Sequence, residues 1–428
     1  MNPKISRRIF LRNSSIAAAT FWIGSSAFGK GKSPNDKLNI GIIGTANRAG
    51  SNISGVKHQN IVALCDVDDN YLAAASARFP EAKKYNDFRK LLEQKDIDAV
   101  VISTTDHTHA VATAAGLKSG RHVYCEKPLT HTVEEARAIS QLTARNKKLA
   151  TQMGTQMHAT ENYRRVVELV QKDAIGPVTE CHVWCHKSRT APVPTEYPPV
   201  PAHLHWDLWI GPVKSRPYHP IFHPKEWRVF WQFGNATLGD MGCHYLDLVF
   251  WALKLRTPTS IEAEGPAPHP EAVPEWLIAH WDFPKRGKLP PVKLHWYDSG
   301  KRPALLDEMG IKGWLDGVMF VGEKGVLIAD YTKHVLYPEN KFEGFVAPAP
   351  FIPKSIGHYE EWIQACKTGS PTSCNFDYGA ALTETVLLGL VAFRSGGKLE
   401  WDASKLRVKN NRDAEKFIQK QYRAGWTI

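Results

Sequence analysis

Asp240 and His244 stand four residues apart, with Asp247 three further on, in a segment that runs into the apolar stretch Leu248–Leu253. On a helix that spacing puts an acid and an imidazole on one face, where together they can serve a ligand with charge and proton exchange. Two other uses of these residues stay open: Thr237 with Asp240 as a capping box, and Asp240, His244 and Asp247 as a metal set. A second grouping is Gly44-Thr45-Ala46-Asn47-Arg48-Ala49-Gly50, which follows an apolar run and approximates the Gly-x-Gly-x-x-Gly phosphate loop, with Ala46 at the second glycine. Asp66, 22 residues beyond Gly44, falls where an acid would hold a ribose hydroxyl. Gly44, Ala46, Asn47, Arg48 and Asp66 are therefore expected to bind a dinucleotide. Asp68 and Asp69 follow with no cation beside them in the sequence, which favours NAD over NADP. Replacing Asp66 by Ala is expected to lower cofactor content, whereas replacing Asp68 should change it little.

Three further groupings are polar and local. Thr104-Thr105-Asp106-His107-Thr108-His109 ends an apolar run and opens a helical one. This makes Thr104, His107 and His109 cofactor-binding candidates, with helix capping by Thr105 or Asp106 as the alternative. Cys181-His182-Val183-Trp184-Cys185-His186 has the look of a metal cluster. In a strand, however, the cysteines face one side and the histidines the other, so the four cannot converge on one ion. His186 and Lys187, at the strand end, read instead as substrate contacts. Between residues 188 and 233 the chain is dense in Pro, Trp and His. Trp206, Trp227 and Arg228 are expected there as sugar-facing groups, against the alternative that Trp206 and Trp209 only pack a core.

These residues need elements to hold them. From Leu38 to Ala150 short apolar runs alternate with helical stretches; the strand candidates are Leu38–Gly44, Asn60–Val67, Ile97–Ser103, His122–Cys125 and Leu149–Met153. Such alternation predicts a parallel sheet with helices on both faces. Beyond it, Ser260–Glu264, Trp276–Phe283, Val292–Tyr297, Gly317–Val321 and Gly325–Asp330 predict a large, mostly antiparallel sheet, with helices near His358–Thr368 and Tyr378–Arg394. The fold class expected is α/β: a Rossmann domain over residues 37–155 and an α+β domain over 156–428.

The amino end reads Lys4-Ile5-Ser6-Arg7-Arg8-Ile9-Phe10-Leu11 ahead of a short apolar run. That order matches a cleavable twin-arginine export signal, taken as residues 1–32, and predicts a periplasmic or otherwise exported protein without stable membrane insertion. Those 32 residues hold six basic side chains and no acid, so the net charge of +11 falls to +5 beyond them. With no basic cluster interleaved with aromatics, nucleic acid is not implied. Seven cysteines, an odd number in a long chain, do not form a disulfide framework.

With the elements in place, Cys125-Glu126-Lys127-Pro128 after the His122–Cys125 strand and Gly239-Asp240-Met241-Gly242-Cys243-His244 resemble the Gfo/Idh/MocA oxidoreductases, over nearly all of the chain beyond the leader. The resemblance implies that Lys127 projects into the active site and that Asp240 and His244 are the catalytic pair. His244 would serve as acid or base, Lys127 as the cation that polarises the substrate oxygen, and Asp240 as the positioning group. Glu126, Lys127 and Gln156 join the cofactor contacts, and His158 joins Lys127, Asp240 and His244 among the substrate contacts. No metal is expected. The implied activity is NAD-dependent oxidation of a secondary hydroxyl on a small sugar or glycoside, in a homo-oligomer. An exported enzyme has no free nicotinamide pool, so its cofactor should stay bound. The alternative is redox-neutral glycoside hydrolysis, as in the related NAD-dependent α-N-acetylgalactosaminidases.

Overall fold

Ile40–Ile43 and Ala99–Ile102 are buried at every position, as strands covered on both faces must be. The computed structural model, which describes residues 36–428, sets both at the centre of a six-stranded sheet. Its strands are β1 (Asn39–Ile43), β2 (Asn60–Cys65), β3 (Lys83–Tyr85), β4 (Ala99–Ile102), β5 (His122–Cys125) and β6 (Thr151–Met153). All pair in parallel in the order β3-β2-β1-β4-β5-β6. This order reverses at β1, and ligands bind at the carboxyl ends of the strands beside such a reversal. Five of the six strands match the sequence expectation; β3, three residues with two lysines, carries no apolar signal. The crossovers are α1 (Ala49–Val56), α2 (Asp69–Arg78), α3 (Asp106–Lys118) and α4 (Val133–Arg145). Helix α4 starts on a full capping box, Thr132 with Glu135.

The second sheet has nine strands: β7 (Val178–Trp184), β8 (Ser260–Glu264), β9 (Ile278–Phe283), β10 (Val292–Tyr297), β11 (Gly317–Gly322), β12 (Gly325–Ala329), β13 (His334–Tyr337), β14 (Leu399–Asp402) and β15 (Arg407–Val408). The order is β13-β12-β11-β7-β10-β9-β8-β14-β15, antiparallel except for β7 with β10. In β9 and β10 buried residues alternate with more exposed ones, so one face is core and the other is not. The core face is covered by α6 (Ala236–Leu253) and by α8 (Phe376–Ser395), with α5 (Glu161–Gln171) against α6. Trp281 on β9 donates its Nε1 hydrogen to the Thr385 carbonyl of α8 at 3.0 Å. Helix α7 (His358–Thr368) returns to pack on α1. Residues 1–32, read as the export signal, lie outside the described residues.

Candidate active site

A cleft of about 940 Å³ opens at the carboxyl ends of β1, β2 and β4. Gly44, Ala46, Asn47 and Arg48 line it and bring the positive end of α1 to its wall. Gly44 has φ +84°, and a Cβ there would lie 2.7 Å from the Ser103 carbonyl oxygen, so only glycine fits. The other left-handed residue of the loop is Asn47, at φ 54°. Ala46 is not left-handed, which is why the loop forms without the second glycine.

Asp66 ends β2 as expected and lines the cleft. Its Oδ2 accepts from the Thr45 amide and hydroxyl, both at 2.8 Å, and its Oδ1 accepts from the Asp68 amide at 3.0 Å. Burial pushes this carboxyl up, against the bonds from Thr45 and Asp68 that lower it. The neighbouring acids are less bare than the sequence implied. Asp68 accepts from the Asn70 and Tyr71 amides as the cap of α2 and lies 3.0 Å from His223 Nε2, while Asp69 lies 3.2 Å from His205 Nε2. Asp68 is thus a structural hub of this loop.

Of the segment after β4, Thr104, Thr105 and Thr108 line the cleft. Thr105 precedes α3 without a side-chain cap. The histidines do not reach the cleft, which corrects their assignment as cofactor contacts. His107 is fully buried, with Nε2 2.9 Å from the Trp209 carbonyl and Nδ1 3.3 Å from that of Phe233; burial pushes its pKa down to about 3. A neutral ring donates only once, so the shorter contact is the hydrogen bond. His109 places Nδ1 2.7 Å from the Pro128 carbonyl and Nε2 3.1 Å from that of Thr104. Burial opposes its charge, but Cys125, Asp106 and the Pro128 carbonyl outweigh it and raise the ring to about 9. His109 therefore holds the Glu126-Lys127-Pro128 turn, in which the Lys127–Pro128 bond is cis.

That turn delivers two side chains. Glu126 accepts from Arg48 Nε at 2.9 Å and from Gln156 Nε2 at 3.3 Å, tying the phosphate-type loop to the turn after β6. Lys127 Nζ donates to Asp240 Oδ1 at 2.9 Å. Asp240 is buried on the first turns of α6 and receives three more cations: Lys187 Nζ at 2.7 Å and Arg189 Nη2 at 2.5 Å on Oδ2, and Arg228 Nε at 3.3 Å on Oδ1. Burial alone would raise this carboxyl, but Lys127, Arg228, Arg189 and Lys187 together hold it well below the usual range. Helix α6 begins at Ala236 after Asn235 with no side-chain cap, so Thr237 and Asp240 do not form a capping box. Arg189 was not anticipated; Lys187-Ser188-Arg189, just past the end of β7, was its only signal.

His244 sits one turn along α6. Burial, then Lys127, drives its ring well below the usual histidine value, so it is neutral near pH 7, and its Nδ1 is buried with no partner among the described residues. Arg228 links this cluster to the cleft: it lines the cleft, stacks 3.9 Å over the Trp227 ring and touches Asp240. Trp227 lines the cleft too.

Three expected substrate contacts lie elsewhere. Trp206 is buried in a stack with Trp209, centroids 4.6 Å apart, and donates to the Arg216 carbonyl. His186 is bound to Asp316 at 2.7 Å on the outer side of the sheet. His158 is buried against Trp251 and lies 2.9 Å from Asp247 Oδ1, which also accepts from Tyr378. Asp247 therefore does not converge with Asp240 and His244 on an ion. Residues that sequence reasoning missed include Trp209, His223 and Trp426, all lining the cleft from segments remote in the chain.

A Rossmann cleft joined through Arg228 to an aspartate that also binds a lysine, with a neutral histidine one turn further along the same helix, defines a dinucleotide-binding oxidoreductase. The chain belongs to the Gfo/Idh/MocA family. Its residues 38–154 match the model described as the family's NAD-binding Rossmann fold, and residues 181–287 match that of its C-terminal α/β domain. Inositol 2-dehydrogenase of Salmonella typhimurium is 29% identical over 158 residues, 36% of this chain and 46% of that protein. A glycosyl hydrolase family 109 protein of Solibacter usitatus is 37% identical over 152 residues, 31% of this chain and 35% of that protein. The match thus spans less than half the length of these relatives. Among solved structures, the WlbA dehydrogenase of Bordetella pertussis, in complex with NADH and UDP-GlcNAcA, aligns with a TM-score of 0.62 at 15% identity, covering 86% of this chain and 98% of that one. Aldose–aldose oxidoreductase of Caulobacter crescentus aligns at 0.59 and 16%, covering 85% and 100%. At these identities the structural likeness shows the fold.

Proposed function

We propose that the chain is an NAD-dependent oxidoreductase acting on a secondary hydroxyl of a sugar or glycoside, with the cofactor held through the catalytic cycle. The observation that carries this reading is the neutral His244 beside a lysine whose ammonium is anchored by the ionised Asp240, where the dinucleotide cleft meets Arg228. The cleft fits NAD: the left-handed Gly44 and Asn47 shape the loop, and the acid at the end of β2 faces the cleft where a 2′-phosphate would be repelled. When bound, NAD supplies the hydride acceptor. The remaining tasks fall to the chain. Neutral His244 takes the hydroxyl proton, Lys127 steadies the oxygen as charge develops, and Asp240 fixes Lys127, Lys187, Arg189 and Arg228 in place without itself exchanging a proton.

The inositol dehydrogenase relatives support oxidation of a ring hydroxyl. The family 109 relative supports the second reading, net glycoside hydrolysis, which uses the same first step. Export through the twin-arginine pathway and assembly into a homo-oligomer are part of the proposal, resting on the leader sequence and on the family resemblance respectively. Incubating purified protein with a panel of polyols, sugars and aryl glycosides, while following nicotinamide absorbance and released aglycone, tests it. Neither signal from any ring alcohol or glycoside would remove the reading.

A further inference from the structure

Remote from the cleft, the non-core face of the nine-stranded sheet carries a row of histidines that the reaction does not use. In register, His182 on β7 stands opposite His295 on β10, and His295 stands opposite His280 on β9. Glu180, two residues before His182, shares its face. One oxygen, Glu180 Oε1, lies 3.2 Å from His182 Nε2 and 3.1 Å from His295 Nε2. Both Nε2 atoms are buried and make no hydrogen bond among the described residues. The other nitrogen of each ring is engaged: His182 Nδ1 is 3.2 Å from the Tyr297 hydroxyl, and His295 Nδ1 is 2.5 Å from His280 Nδ1.

In the tautomer with hydrogens on His182 Nδ1 and His295 Nδ1, given to Tyr297 and His280, both Nε2 lone pairs are free for a ligand; the two rings lie stacked with centroids 4.8 Å apart. Neutral imidazole is the form that ligates metal.

We infer that Glu180, His182 and His295 form a binding site for a divalent transition-metal ion, zinc by its donor set. Ligands at about 2.0–2.2 Å around a tetrahedral zinc stand about 3.3 Å from one another. The two nitrogen–oxygen separations already match this, and all three ligand atoms lie within 4.8 Å of one another, so turning one of the stacked rings towards Glu180 closes the site. Tyr297 and His280 are the outer shell that orients the rings. The side chain of Glu180 is 41% exposed, which leaves the fourth position to water. The ion would clamp β7 to β10, the one parallel pair in this sheet, and so support the fold at a distance from catalysis. The segment Cys181–His186 could not reveal this by its own spacing, because the second imidazole comes from the neighbouring strand.

The test uses untagged full-length protein, stripped with chelator, dialysed against zinc and measured by elemental analysis and thermal unfolding. About one zinc per chain and a zinc-dependent rise in Tm are expected. Both should be lost in His295→Ala and in Glu180→Gln, with cofactor content unchanged. Should His295→Ala fail to fold, Glu180→Gln, altered only at a part-exposed carboxylate, still decides the matter. Absence of stoichiometric zinc from the wild type would overturn the inference. So would zinc retained by Glu180→Gln but lost from Cys374→Ser, since that would place the ion at the other close group, His158, Asp247 and Cys374.

Discussion

Lys127 Nζ donates to both the backbone carbonyl and the Oδ1 of Asp240, at 2.8 and 2.9 Å, joining the turn after β5 to the first turns of α6. One carboxylate thereby fixes the position of the ammonium that the reaction needs, while Lys187, Arg189 and Arg228 crowd its remaining lone pairs. Four cations on one anion leave a positive excess where an alkoxide would form, which favours the ionised over the neutral form of a substrate hydroxyl.

Replacing Lys127 by Ala should therefore lower turnover by about a hundredfold or more, the scale of lost acid–base or polarising groups, while leaving bound cofactor near one per chain. Asp240→Asn should be worse for the fold than for binding of the cofactor, because it leaves the four cations with no counter-charge. Thermal unfolding and cofactor content measured on both variants check this; a Lys127→Ala enzyme of unchanged turnover would remove its assigned role.

The pH dependence of kcat/KM should report His244. In the proposed reaction its neutral form is the base, and burial with Lys127 depresses its pKa. Activity should thus hold from neutrality to below pH 6.5 and fall only as the pH drops through the depressed value. His244→Ala should cut turnover by about a hundredfold and abolish that acid limb. A limb that persists unchanged in the variant would assign the titration to another group.

Acid should also weaken the fold from a higher pH than its carboxylates require. His107 and His358 are both pushed down to about 3 by burial, whereas the unfolded chain protonates them near 6.5. The unfolded state then binds more protons below that value, so stability is full above about pH 6.5 and declines as the pH falls towards 3. At pH 5 each contributes a loss of about 2 kcal/mol. Tm measured from pH 7 to 4 should fall steadily, and less steeply in His358→Gln.

Asp66 and Asp68 should separate cofactor binding from stability. Asp66→Ala removes the acceptor of the Thr45 amide and hydroxyl at the cleft and should lower the bound NAD content. Asp68→Ala removes the cap of α2 and the partner of His223, and should cost about 1–2 kcal/mol with a smaller change in NAD. Absorbance of the released nicotinamide and thermal unfolding distinguish the two outcomes.

Much of the fold and the site was legible in the sequence wherever a pattern is local. The parallel strands other than β3 announce themselves as apolar runs, Asp66 follows from its spacing to Gly44 across one strand–helix–strand unit, and His244 from its spacing to Asp240 along one helix. His107 and His109 misled because polar residues at a strand's carboxyl end look like ligand groups, yet here α3 is buried on every side and its imidazoles bond to main-chain carbonyls instead. Trp206 misled in the same way: its stack with Trp209 is a packing contact. Arg189, His223 and Trp426 could not be found, since nothing in a linear spacing tells which loop folds back over a cleft.

Oxidation and hydrolysis diverge only after the first hydride leaves the sugar, and the fate of that hydride separates them. In a dehydrogenase, one ring alcohol should leave the bound nicotinamide reduced, with its absorbance persisting until a second carbonyl compound is added. In a hydrolase, the transient ketone acidifies the neighbouring C–H, a base removes that proton, the glycosidic group departs, and water and hydride are then returned. Aglycone should appear without net reduction, and in deuterated water the carbon beside the oxidised one should carry deuterium, because its proton was lost to solvent-exchanging groups and later replaced. Mass spectrometry of the released sugar reads this directly. Aglycone without deuterium would exclude the elimination route, whereas a persistent reduced cofactor with no aglycone from any glycoside would leave dehydrogenation as the activity. Lys127→Ala should slow both signals alike, since both begin by drawing charge onto the oxygen that this ammonium faces.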